Sequence, residues 1–304
     1  MKVSVIITLL TLINVHLYAK TAQDEKKPTI LFAPNWKVNT TVVYKGEIQR
    51  SIKRDDYTWT GQYTSNQTLT VKAKTDSSYT VNWEAAGFPI NVFQEFPGPM
   101  YDWFQEWSEG KKLNLKIRFS NLGVPVAVEN IDSVRSFYQS MVDEFIKELA
   151  SRDVSPLNKD RVKQSLLNMK TLVIPSDAFP QVFISNFNLL FPLYGKTFFA
   201  NQNEKITDYR KLPTMGFAVP IQIHTQLSKE PNNIYQLTSN QAPLPYDKWR
   251  IRPSGYSSID FDYTDSLDFQ YDAVKQWINY AKHSMNFHRN NFSDNFTISY
   301  TKVN

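Results

Sequence analysis

Lys112-Leu113-Asn114-Leu115-Lys116-Ile117-Arg118-Phe119 alternates polar and apolar residues, so an extended strand here has one apolar and one charged face. Ser120-Asn121-Leu122-Gly123 supplies a turn, and Pro125-Val126-Ala127-Val128-Glu129-Asn130 reads as a second, more buried strand. Ile131-Asp132-Ser133 follows, with Asp132 or Ser133 placed to cap a helix running to about Leu149. A hairpin that feeds directly into a long amphipathic helix seeds a sheet with a helix packed on it. The fold class expected is therefore α+β.

Upstream of this unit the chain is β text. Thr41 to Arg54, Tyr57 to Tyr63, Thr68 to Lys74 and Ser78 to Glu84 each alternate with period two. Turn residues fill the gaps at Arg54-Asp55-Asp56, Ser65-Asn66 and Thr75-Asp76-Ser77, which predicts a four-stranded antiparallel meander. Downstream, helices are expected at Asn158 to Met169, after Ser155-Pro156, and at Asp177 to Leu190, with Pro180 in its first turn. β text resumes at Gly216 with Phe217 to Leu227 and Asn233 to Ser239, where Pro220 argues for an edge or a bulge. Ser258 to Thr264 and Leu267 to Asp272 read as one hairpin turning at Thr264-Asp265-Ser266. Ala273 to Asn286 fits strand or helix, and Asn295 to Val303 closes the chain as a strand.

The expected domain layout follows. Residues 1–19 form a signal peptide, 20–29 a mobile charged leader, and 30–304 one α+β domain. Within it, 30–130 and 213–304 build an extended, curved antiparallel sheet, and the helical segment 131–190 packs against it.

Export is read from the first residues. Lys2 gives a short basic end, Val3 to Val15 an apolar run, and Ala19 a small residue for cleavage. That run is shorter than the roughly 20 residues a spanning helix needs, and polar Lys20 to Lys27 follows. A periplasmic or extracellular destination is the expectation, with no transmembrane span after signal removal.

Composition excludes several chemistries. Hydrophobic content of 41% with 14% aromatic is ample for a packed core. No cysteine occurs, which removes disulfides, thiolate metal sites and cysteine nucleophiles. With nine glycines and neither G-x-G-x-x-G nor G-x-x-x-x-G-K-[ST], no nucleotide or other cofactor is expected. The net charge of +5 is mild for 304 residues and does not demand nucleic acid. Lys45, Arg50, Lys53 and Arg54 interleave with Tyr57 and Trp59 as in single-strand-binding sheets, but an exported destination argues against that partner.

The titratable clusters are weak. His283 and His288 are five apart, about 140° on a helix and poorly placed to share a metal. His224 alternates with Ile223 and points to a polar strand face. Asp260, Asp262, Asp265, Asp268 and Asp272 lack the glycine of a calcium loop, and alternation turns Ile259, Phe261 and Tyr263 inward and the aspartates to water. Gly255 opens no G-x-S-x-G elbow, because no glycine follows Ser257. No catalytic or metal residue is assigned.

Two aromatic groups remain as ligand-binding candidates. Trp103 and Trp107 lie four apart in the aromatic–acidic stretch 93–109, and Phe183, Phe187 and Phe191 recur along the apolar helix. The leading expectation is a non-catalytic, exported binding or envelope-associated protein that holds a lipid or other apolar small molecule between sheet and helices, or meets an envelope protein. The alternative is an extracellular hydrolase using carboxylates among Glu95, Asp102, Glu106 and Glu109. An interaction domain working through sheet edges is a third reading.

Overall fold

A computed structural model describes residues 29–55, 57–86, 110–151, 156–199, 202–212, 215–253 and 260–303. The stretch 93–109, the first 28 residues and the Ser155 before the second helix lie outside them. The described residues form an eleven-stranded sheet and a separate two-stranded ribbon, antiparallel throughout, with three helices.

The sheet is two meanders joined side by side. The first runs outward through β2 (Thr41–Arg54), β3 (Tyr57–Lys74), β4 (Ser78–Ala86), β5 (Lys112–Ser120) and β6 (Pro125–Val128). The second begins at the far edge with β8 (Asn203–Lys211) and returns through β9 (Ala218–Glu230), β10 (Ile234–Pro243), β11 (Asp262–Asp272) and β12 (Trp277–Arg289). It ends in β13 (Phe292–Lys302), which docks on β2 along eleven register pairs, Phe292↔Arg54 to Lys302↔Tyr44. The ribbon pairs β1 (Thr29–Leu31) with β7 (Thr197–Phe199).

The α+β class with a curved sheet is as expected, but several local readings are corrected. No turn forms at Ser65-Asn66: β3 is one strand of 18 residues, and Lys45↔Asn66 and Gly46↔Ser65 pair within it. The polar run survives inside because Gln67 accepts from Trp83 Nε1 at 3.1 Å. Nor does the chain turn at Thr264–Ser266. β11 continues through it, and the hairpin closes at 273–276, where Asp272 Oδ1 accepts from the amides of Val274 and Lys275. β text also resumes earlier than Gly216, because Asn203–Lys211 is a strand. That strand, not the Pro220 strand, is the sheet edge. Pro220 Oxygen accepts from Leu244 N just past the last pair with β10, Ile221↔Pro243, so its missing N–H falls where that ladder has ended.

Helices α1 (Ile131–Ser151), α2 (Pro156–Asn168) and α3 (Phe179–Leu190) carry the chain from the β6 edge to the β8 edge. Asp132 and Ser133 fall in the first turn of α1 rather than at its cap. Asn130 precedes the helix, and its side chain bonds Lys116 N and Asn114 O, which ties the helix start to β5. Val134, Tyr138, Met141, Val142, Phe145 and Leu149 form one buried stripe at helical spacing. A π-helical turn, Met169–Val173, joins α2 to the segment before α3. Arg135 holds its exit by donating to the carbonyls of Ile174 and Ser176.

Curvature follows from Trp36. Its indole stacks on Trp277 of β12 at 4.6 Å and meets Phe119 of β5 at 5.6 Å. Five strand spacings separate those strands, about 24 Å on a flat sheet, so the sheet wraps around the indole. Helix α3 likewise touches both β6 and β12. Phe32 extends the same filling toward β10 and β11, with ring contacts to Tyr235, Phe269 and Tyr271. Among the described residues no helix is long and apolar enough to cross a membrane.

Candidate functional site

The interior of the curve is built of rings. Phe179, Phe183 and Phe187 lie four apart on α3, and Phe191 continues the row at its C-cap. Spacing of four keeps them on one face, and that face meets the sheet and α1. Phe179 and Phe183 meet Tyr138 edge-on at 5.4 and 5.8 Å. Phe187 meets Trp83 at 4.9 Å and Phe119 at 5.7 Å, while Phe191 packs on Trp36 at 5.9 Å and stacks on Tyr194 at 5.2 Å. Edge-to-face pairs of this kind add about 0.5–1.5 kcal/mol each beyond their buried area.

The three phenylalanines singled out from sequence are therefore brought together, but as packed core: Phe183, Phe187 and Phe191 are at most 2% exposed. They fill the concave face of the sheet. Trp103 and Trp107, with Glu95, Asp102, Glu106 and Glu109, lie outside the described residues.

Four tyrosine tips within this aromatic layer are satisfied by backbone. Tyr44 donates to Ile278 O, Tyr194 to Gln276 O, Tyr271 to Ala33 O and Tyr79 to Pro34 O. Burial holds the Tyr44 and Tyr194 phenols far above their ordinary range and pushes Tyr271 and Tyr300 up to about 12.

A second cluster lies further along the concave face. Asp265 shares its strand face with Tyr263, Leu267 and Phe269, and is 5% exposed. Its Oδ2 accepts from Tyr263 Oη at 3.1 Å, and its Oδ1 lies 3.0 Å from His283 Nε2, the ring nitrogen that donates to an ionised carboxylate. Burial is the largest of the effects raising the Tyr263 phenol, and the neighbouring carboxylate adds to it. Gln241 stands directly across from Asp265 on β10, and Thr225 Oγ1 approaches Ser239 Oγ at 3.4 Å. Two buried atoms of this group, His283 Nδ1 and Gln241 Oε1, have no hydrogen-bond partner among the described residues. Together these residues make a polar belt between the larger core, with Leu227, Leu237 and Phe269, and a smaller one containing Ile221, Ile223, Tyr263 and Phe287.

Sequence reasoning misses this cluster. Asp265 and Asp272 are buried rather than water-facing, which corrects the expected solvated row. The signal was the parity of 263, 265, 267, 269 and 271, hidden by the assumed turn. His283 and His288 sit on a strand, on opposite faces, so they do not converge. His224 faces outward as read, 2.7 Å from Asn203 Oδ1. An aspartate-oriented imidazole can act as a base through its second nitrogen, but this one is enclosed, with 5% of its surface exposed. Among the described residues no three His, Asp or Glu side chains form a metal-holding group.

On the convex face an open groove of about 460 Å³ runs beside β8, lined by Thr207, Tyr209, Pro220, Leu244, Lys248 and Arg250. No protein-family model matches the chain, and no characterised protein is significantly similar to it.

Proposed function

We propose that this is an exported, non-catalytic binding protein that takes up an apolar molecule between the curved sheet and its helical cover. The observation that carries the reading is the four-ring row of Phe179, Phe183, Phe187 and Phe191, which faces Trp36, Trp83 and Phe119 on the concave side and Tyr138 of α1. Such a layer exchanges ring–ring contacts for ring–ligand contacts while the hydroxyls of Tyr44, Tyr79, Tyr194 and Tyr271 keep their bonds to backbone carbonyls. A lipid chain or other apolar ligand replaces part of the row when α3 lifts. The π-helical turn Met169–Val173 supports this, since such turns interrupt regular helix bonding and recur at functional sites.

The test is native mass spectrometry of the purified protein, followed by organic extraction and identification of the extract. A co-purified apolar molecule, retained less well by Phe187→Ala and Phe191→Ala, is the expected result. A monodisperse protein that is empty and takes up no added fatty acid or apolar fluorophore overturns the reading.

A further inference from the structure

We propose that β8 is a homodimerisation edge, through which two copies of this chain pair antiparallel about Thr207 into one continuous sheet. The two edges of the sheet differ. β6 is four residues long and lies against α3, whereas β8 is nine residues long, and among the described residues no strand pairs with its outer side. A long free edge invites another strand, and proteins that stay monomeric shorten, cover or charge theirs. β8 is charged, and within one copy Asp208 already lies 3.5 Å from Arg210 Nε and accepts from Tyr209 N. Its charges are nonetheless arranged to match themselves across a two-fold axis, where Glu204 of the second copy adds a carboxylate beside Arg210.

With Thr207 on the axis, Glu204 faces Arg210 of the second copy, and Arg210 faces its Glu204. Both residues lie on the concave face with Ile206 and Asp208, which face each other. On the convex face Lys205 meets Tyr209, Asn203 meets Lys211, and Thr207 meets Thr207, all five exposed in one copy. Opposite-charge, Thr–Thr and lysine–aromatic pairs are each favourable directly across a ladder. Because a side chain keeps its face only when the register moves by two, the alternatives are few. Shifting one way sets Glu204 against Asp208 twice. Shifting the other way sets Lys205 against Lys211 twice and Asp208 against Asp208. The Thr207 register keeps all nine residues paired without a like-charge pair.

Sedimentation velocity of the full chain over a wide concentration range, at low and high salt, tests this. The protein is expected to dimerise reversibly and to dissociate more readily in high salt, as facing charges are screened. Glu204→Arg and Arg210→Glu are each expected to weaken the dimer on the order of tenfold, since each reversal acts at two symmetric sites. The double reversal is expected to restore it. Thr207→Lys, at an exposed position, sets two lysines face to face on the axis and is expected to weaken the dimer without disturbing the fold. A protein that is monomeric throughout the range overturns the proposal. So does a dimer that is indifferent to Thr207→Lys, or one that the double reversal fails to restore.

Discussion

Removing the Asp265 carboxylate strands two buried donors, Tyr263 Oη and His283 Nε2. Asp265→Ala is therefore expected to cost about 3 kcal/mol of stability, read from the shift of a urea unfolding midpoint. Asp265→Asn keeps a carbonyl acceptor for one of the two donors and costs less, about 1–2 kcal/mol. Equal, near-zero effects would show that the cluster is not held by these bonds. Gly123 makes a complementary case inside the turn that starts the fold. Its φ is +80°, and a Cβ there would lie 2.5 Å from the Tyr194 ring and 2.8 Å from Pro34. Gly123→Ala is expected to cost at least about 2 kcal/mol in the same assay, through backbone strain and displaced packing together. The glycine was legible as a turn residue from Ser120-Asn121-Leu122-Gly123. The close approach of Tyr194 was not, because that contact joins segments about seventy residues apart.

Helix α3 is the element on which the binding reading depends. Phe187 is buried among Trp83, Phe119 and Phe191, so Phe187→Ala is expected to destabilise the protein by about 3–5 kcal/mol. Leu172, 65% exposed on the π-helical turn, gives the contrast: Leu172→Ala is expected to change stability by less than about 0.5 kcal/mol. Chemical denaturation of both variants checks the pair. The helices were readable in sequence because their apolar residues recur every three or four positions, and α1 and α3 begin within two residues of their expected starts. Strand boundaries were harder. β8 alternates between exposed and half-buried rather than exposed and buried, since it is an edge, and its polar residues carry little period-two contrast. Thr264-Asp265-Ser266 has turn chemistry but lies mid-strand, because the ladders to β10 and β12 outweigh a local preference. The candidate site was half legible. Phe183, Phe187 and Phe191 stand out as the aromatics of a very apolar helix, while their partners come from strands that only the fold brings near.

For the whole molecule, buried phenols and one buried amine set the alkaline behaviour. Burial holds Tyr271 and Tyr300 at about 12 and Tyr44, Tyr138, Tyr194 and Tyr263 well above the ordinary phenol range, while an unfolded phenol ionises near 10. Their stabilising effect is complete below pH 10 and is lost as pH rises through the folded values. Lys196 works in the opposite direction. Burial lowers its ammonium to about 8, so between about pH 8 and 10 the unfolded chain holds a proton that the folded chain has released. Stability is expected to rise gently over that window and then fall steeply above it. Urea midpoints between pH 7.5 and 11.5 check the shape, and Lys196→Met should flatten the rise while leaving the steep fall.

Whether the helical cover lifts from the sheet can be read amide by amide. Native-state hydrogen exchange would compare α3 and the π-helical turn with the central strands β2, β12 and β13. If the helical layer opens to admit a ligand, the amides of Phe183 to Leu190 exchange through an opening several kcal/mol below global unfolding, and adding an apolar ligand protects them. If those amides instead exchange only with Ile48 and Ile298 in the middle of the sheet, the cover does not lift separately and the binding account is wrong.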